Sequence, residues 1–153
     1  MKNKLLLAIL IALSSIHASA QSVYTGYVKF KKSGYSLVVD NAKTEKEKRE
    51  GAKFIRNLIL QVYGNDALTN GLGTDIEEHV IVVGRGKDAI ESMNAYYKDQ
   101  LKGKSIENIS IAIYSILKIK GAVSSEAGGY SLIDLKNKKA YNLYYERIIK
   151  LRI

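Results

Sequence analysis

The chain has 153 residues, 24 basic against 15 acidic side chains for a formal charge of +9, and no cysteine, proline or tryptophan. Without cysteine there is no disulfide frame, no thiol nucleophile and no thiolate metal ligand, so the fold has to be held by a packed core. The length suits one ordinary domain, and the charge is basic but mixed in sign.

Residues 1–20 read as a secretory signal peptide. Lys2 and Lys4 make a positive start, Leu5 to Leu13 an apolar run, and Ala18-Ser19-Ala20 a small-x-small cleavage site before Gln21. The run is far short of the roughly 20 residues a membrane-spanning helix needs. Cleavage removes two lysines and no acid, so the mature charge falls from +9 to +7. Residues 21–153 contain no Pro-rich, Gly/Ser-rich or low-complexity linker and are read as a single domain.

The mature part opens with a predicted hairpin. Val23 to Lys31 and Tyr35 to Asp40 are rich in β-branched and aromatic residues, with Lys32-Ser33-Gly34 between them as the turn. The period then changes. Thr44 and Glu47 match a capping box, Ile55, Leu58, Ile59 and Val62 share a helical face, and Gly64 supplies the stop. Residues 65–76 are a long irregular connection. His79 to Val83 reads as a short apolar strand broken by Gly84-Arg85-Gly86, and Lys87 to Leu101 as a second helix with Ile90, Met93, Tyr97 and Leu101 inward and Gly103 as its stop.

From Ser105 the period returns to two, with Ile109, Ile111, Ile113, Leu117 and Ile119 on one face of a long strand. Gly121 to Gly128 is a loop. Tyr130 to Leu135 and Ala140 to Tyr145 flank the turn Lys136-Asn137-Lys138-Lys139, and the tail from Glu146 alternates as a strand does. The order ββ-α-β-α-β-ββ predicts an α+β fold: a mainly antiparallel sheet with two helices packed on one face, Ile55, Leu58, Ile59 and Val62 meeting Ile109, Ile111 and Ile113. The segment Gly34-Tyr35-Ser36-Leu37-Val38-Val39-Asp40 resembles Gly129-Tyr130-Ser131-Leu132-Ile133-Asp134, which is read as shared strand grammar and not as a duplication.

Residue types for catalysis are sparse. The mature chain has one histidine, His79, too few for a His-rich zinc site, and it stands without a nucleophile elbow. Asp75, Glu77 and Glu78 cluster ahead of it, and paired carboxylates can cleave glycosidic bonds or hold a hard cation, but the calcium-loop ligand pattern is missing. No metal and no cofactor are expected. Gly84, Arg85, Gly86 and Lys87 form a strand–turn–helix junction with two cations, a candidate cradle for a phosphate or sulfate.

Basic residues gather in the first hairpin (Lys29, Lys31, Lys32) and near the end (Lys136, Lys138, Lys139, Arg147, Lys150, Arg152). Should the two hairpins be neighbours, these merge into one cationic patch. With Tyr27, Tyr35, Tyr130 and Tyr141 they are the candidate binding surface, its partner another protein or an anionic envelope component. The exported address argues against nucleic acid, and no membrane span remains after cleavage. The expectation is therefore an exported, periplasmic or secreted binding protein, not an enzyme, which blocks another protein as an inhibitor or toxin-immunity protein does. The competing readings are a small envelope hydrolase or exported toxin using Asp75, Glu77, Glu78 or His79, and an envelope-associated structural protein.

Overall fold

The computed structural model describes residues 22–92, 99, 102 and 108–153. The predicted leader with its cleavage site, and Met93, Tyr97, Leu101 and Gly103 of the predicted second helix, lie outside the described residues.

Among the described residues the architecture is α+β: a seven-stranded antiparallel sheet with two helices. In chain order the strands are β1 (Gly26–Lys31), β2 (Gly34–Val39), β3 (Ile76–Arg85), β4 (Ile111–Ile119), β5 (Glu126–Asp134), β6 (Lys139–Asn142) and β7 (Arg147–Lys150). Helix α1 (Glu45–Tyr63) joins β2 to β3, and α2 (Gly86–Ser92) follows β3 directly. In space the strands run β2-β1-β3-β4-β5-β6-β7. Because β2 and β3 are both antiparallel to β1, they are parallel to each other, and α1 is the crossover that carries the chain past β1. From β3 onward each strand simply pairs with the next.

Helix α1 begins where Thr44 and Glu47 each satisfy a free amide of the other. The Glu47 amide donates to Thr44 Oγ1 at 3.1 Å, and the Thr44 amide donates to Glu47 Oε2 at 3.3 Å. At its other end the Gly64 amide donates to the Leu60 carbonyl, with Gly64 at φ 109°. The buried face carries Ile55, Leu58 and Ile59 into one cluster with Val28, Phe30, Ile81, Val83, Ile111, Ile113, Ile133, Ala140 and Leu151. The charged run stays outside, where Lys48 reaches Glu45 at 2.9 Å. Gly51 lets the helix approach the sheet: a Cβ there would stand 2.7 Å from a Val39 methyl and 2.9 Å from the Tyr24 ring.

A second cluster forms on the other face of the sheet from Ala112, Leu132, Tyr141 and Leu143, with Ile109 and Tyr130 against it. Ile109 therefore does not share a face with Ile111 and Ile113 as the alternation suggests. It precedes β4, where the Ser110 amide donates to the Ile133 carbonyl and the chain is only entering the sheet. The third strand is also longer than predicted. Gly84 pairs with Ala112 and Arg85 with Ile111, so the glycine is accommodated within the ladder.

Two irregularities bend the sheet. Between Ile76 and Glu78 the β3–β4 register shifts at Glu77. Between β4 and β5, Ile113 pairs with Ser131 but Ser115 with Gly128, so β5 carries an extra residue at Gly129, whose φ is 66°. A glycine in the left-handed region is what such a bulge requires.

Candidate functional site

The antiparallel order sorts the connections to two ends of the sheet. One end holds the β1–β2 turn, the C-terminus of α1, the start of β3, the β4–β5 loop and the β6–β7 turn. A cavity of about 580 Å³ opens there, lined by Val62, Tyr63, Gly129, Asn142, Tyr144, Tyr145, Arg147 and Ile149. That volume lies within the range of small-ligand pockets.

Each wall has a local cause. The length of α1 places Val62 and Tyr63 over the β5 bulge, where the Tyr63 hydroxyl donates to the Gly129 carbonyl at 2.8 Å. Burial raises the Tyr63 phenol above its ordinary value, against a smaller opposing pull from the Ser115 hydroxyl, so it stays a neutral donor. Opposite, the β6–β7 turn is held by Asn142. Its Nδ2 donates to Ser131 Oγ at 3.2 Å, and its Oδ1 accepts the Tyr145 amide at 2.9 Å. Glu146 takes a left-handed φ of 50°, completing the reversal into β7.

Tyr144 and Tyr145 project from this turn as an edge-to-face pair, ring centres 4.9 Å apart, with 79% and 74% of their surface exposed. Arg147 pairs with Asn142 in the ladder, and the salt bridges of the described residues leave its guanidinium out. The arrangement offers aromatic walls, an apolar base at Val62 and Ile149, and one uncommitted planar cation. It can bind and orient an apolar group that carries an anion.

The sequence-predicted surface is not one surface. Tyr27, Lys29 and Lys31 alternate with the buried Val28 and Phe30, so they lie on the sheet face away from α1. Tyr35 packs on the α1 side, tilted on Phe30, and its hydroxyl accepts from Arg56 Nε at 3.2 Å. Tyr130 stacks near Tyr114 at 5.2 Å on the far face, and Tyr141, 1% exposed, serves the second cluster instead of a contact surface. Lys136 and Lys138 belong to the β5–β6 turn and Lys139 begins β6, at the opposite end of the sheet from Lys31. With β1 and β5 three strand positions apart, the two basic hairpins are also separated by about 14 Å across the sheet. The two basic hairpins are therefore not neighbours in the sheet, which was the condition for their merging into one patch.

The other candidates are tied into the fold, some by their side chains and some by backbone alone. The Gly86 amide donates to the Ser110 carbonyl at 3.0 Å, Arg85 pairs in the ladder with Ile111, and Lys87 lies 3.9 Å from Glu91. The Gly84–Lys87 junction thus spends on the sheet an amide that an anion cradle would need. Glu77, at the β3 bulge, meets Lys118 at 3.3 Å, and the Asp75 carbonyl accepts the Lys120 amide at 2.9 Å. His79 stacks flat on Phe30, ring centres 4.3 Å apart, and its burial lowers its pKa with no carboxylate opposing the shift. Glu78 stands in the ladder opposite Lys118. Among the described residues no three His, Asp or Glu side chains converge as a metal site, and no helix is long and apolar enough to cross a membrane.

Sequence reasoning missed most of the cavity. Arg147 stood out only as one of several basic residues, and Tyr63, Asn142, Tyr144 and Tyr145 did not stand out at all. The available signal was the doublet Tyr144-Tyr145 in a turn, two residues from an arginine. Compared with known proteins, the chain matches no family model, no curated protein and no solved structure.

Proposed function

We propose that this protein is an exported binding protein that captures another protein at the tyrosine–arginine cavity and blocks it, in the manner of an inhibitor or immunity protein. The observation that carries this reading is the pair Tyr144 and Tyr145, held by a fixed turn yet largely exposed beside Arg147. Tyrosine and arginine dominate the energetics of protein interfaces, because they bury large area at low entropic cost and keep a polar handle. The turn is ordered by Asn142 before any partner arrives, so less freedom is lost on binding. The net positive charge favours a partner with an acidic contact surface, and steers its approach. Export after Ala20 places that partner in the periplasm or outside the cell, away from nucleic acid.

A photo-crosslinking amino acid at position 145, incorporated in the producing cells, tests the reading. It should yield one discrete protein adduct, which the same group at Lys46, on the outer face of α1, does not give. The same intact partner should bind the purified protein and lose at least roughly tenfold in affinity with Tyr145→Ala, the effect of one interface anchor. A uniform smear, or an adduct that forms equally from position 46, contradicts it.

A further inference from the structure

We infer that the cavity takes an aromatic group bearing a carboxylate, presented by the partner protein; this rests on the reading that the cavity is where the partner is held. The walls select the aromatic part. Tyr63, Tyr144 and Tyr145 offer ring faces and edges, and Val62 and Ile149 give an apolar base. Aromatic rings prefer such edge-to-face and offset neighbours over purely aliphatic ones.

The polar groups select the charge. The Asn142 amide is committed on both sides, to Ser131 and to the Tyr145 backbone, and the Tyr63 hydroxyl to the Gly129 carbonyl. That leaves Arg147 as the lining cation able to make new bonds, and a guanidinium fits a carboxylate in two parallel N–H to oxygen contacts. Among the described residues no carboxylate side chain lines the cavity to compete for it. A neutral or cationic aromatic group would leave Arg147 partly desolvated and unpaired, which works against binding.

The absence of tryptophan from the chain makes the test direct, since the fluorescence of a tryptophan ligand can be followed alone. Three probes are titrated against the mature protein: N-acetyl-tryptophan, with a chain-end carboxylate; N-acetyl-aspartyl-tryptophan amide, with a side-chain carboxylate; and N-acetyl-tryptophanamide, with none. At least one acid should bind roughly tenfold more tightly than the neutral amide, the worth of one charge-assisted contact. Which acid it is identifies a chain end or an internal acidic residue as the source. Arg147→Gln should abolish the preference, Tyr145→Ala should weaken all three probes, and Lys136→Gln at the opposite end should change none. Equal binding of acids and amide, or a preference that survives Arg147→Gln, overturns the proposal. If position 145 still crosslinks one protein, only the carboxylate specificity falls. If it does not, the capture reading falls with it.

Discussion

Gly129 and Tyr63 are the two residues on which the cavity's geometry turns. Gly129 sits at φ 66° in the β5 bulge, and a Cβ there would lie 3.2 Å from the Tyr63 hydroxyl oxygen. An L side chain in the left-handed region costs roughly 1–2 kcal/mol before the crowding is counted. Gly129→Ala should therefore lower stability by about that amount and open the Tyr63 contact, read by chemical denaturation and by the Tyr63 ring resonances. Tyr63→Phe keeps the ring and removes the hydroxyl that bonds the Gly129 carbonyl and meets Ser115, with an expected loss of about 0.5–1.5 kcal/mol for each neutral hydrogen bond. His79 makes a different prediction. Its pKa in the folded protein is lowered by burial, so as pH falls the unfolded chain takes up the proton first. The stability it contributes is full above the ordinary histidine value of about 6.5, and is lost as pH falls through that value toward the lower folded one. Denaturation midpoints between pH 7 and 5 should show this slope, and His79→Phe, which keeps the stacking on Phe30, should flatten it.

At the scale of elements, the helix and the first hairpin were legible because their signals are local. The Thr44–Glu47 box, the Ile55–Leu58–Ile59 stripe and the Gly64 stop all depend on residues within a few turns of each other. The ends of β3 and the placement of Ile109 were not legible, since they are fixed by strands far away in sequence. Gly84 reads as a breaker until Ala112 is seen beside it, and the alternation through Ile109 fails where Ser110 first meets Ile133. The resemblance between Gly34–Asp40 and Gly129–Asp134 has a structural counterpart: both glycines take positive φ and both begin or kink a strand. Leu58 and Ile111, fully buried in one cluster, should each cost roughly 2–5 kcal/mol when cut to Ala. Thr44→Ala should cost about 1 kcal/mol through the lost cap. Lys48→Ala, whose salt bridge is exposed, should be nearly silent. Urea unfolding of these variants side by side checks the ranking, and equal effects at Leu58 and Lys48 would contradict the helix-on-sheet core.

For the whole molecule, the strand order decides what can act together. Composition and spacing pointed to tyrosines beside basic groups, but they could not say which of these residues meet in space. The sheet sets the turns of the two basic hairpins at opposite ends with β3 and β4 between them, and it brings together Tyr63, Tyr144, Tyr145 and Arg147, drawn from the end of α1, the β6–β7 turn and the start of β7. The most direct measurement is the affinity of the cross-linked partner for three forms of the mature protein. They are the wild type, the double variant Tyr144→Ala/Tyr145→Ala at the cavity, and the double variant Tyr27→Ala/Lys29→Ala on the sheet face away from α1. Loss of two interface anchors should weaken binding roughly a hundredfold in the cavity variant, with the other variant within about threefold of the wild type. The opposite ranking, with binding lost on the far face and kept at the cavity, would contradict this assignment of the site.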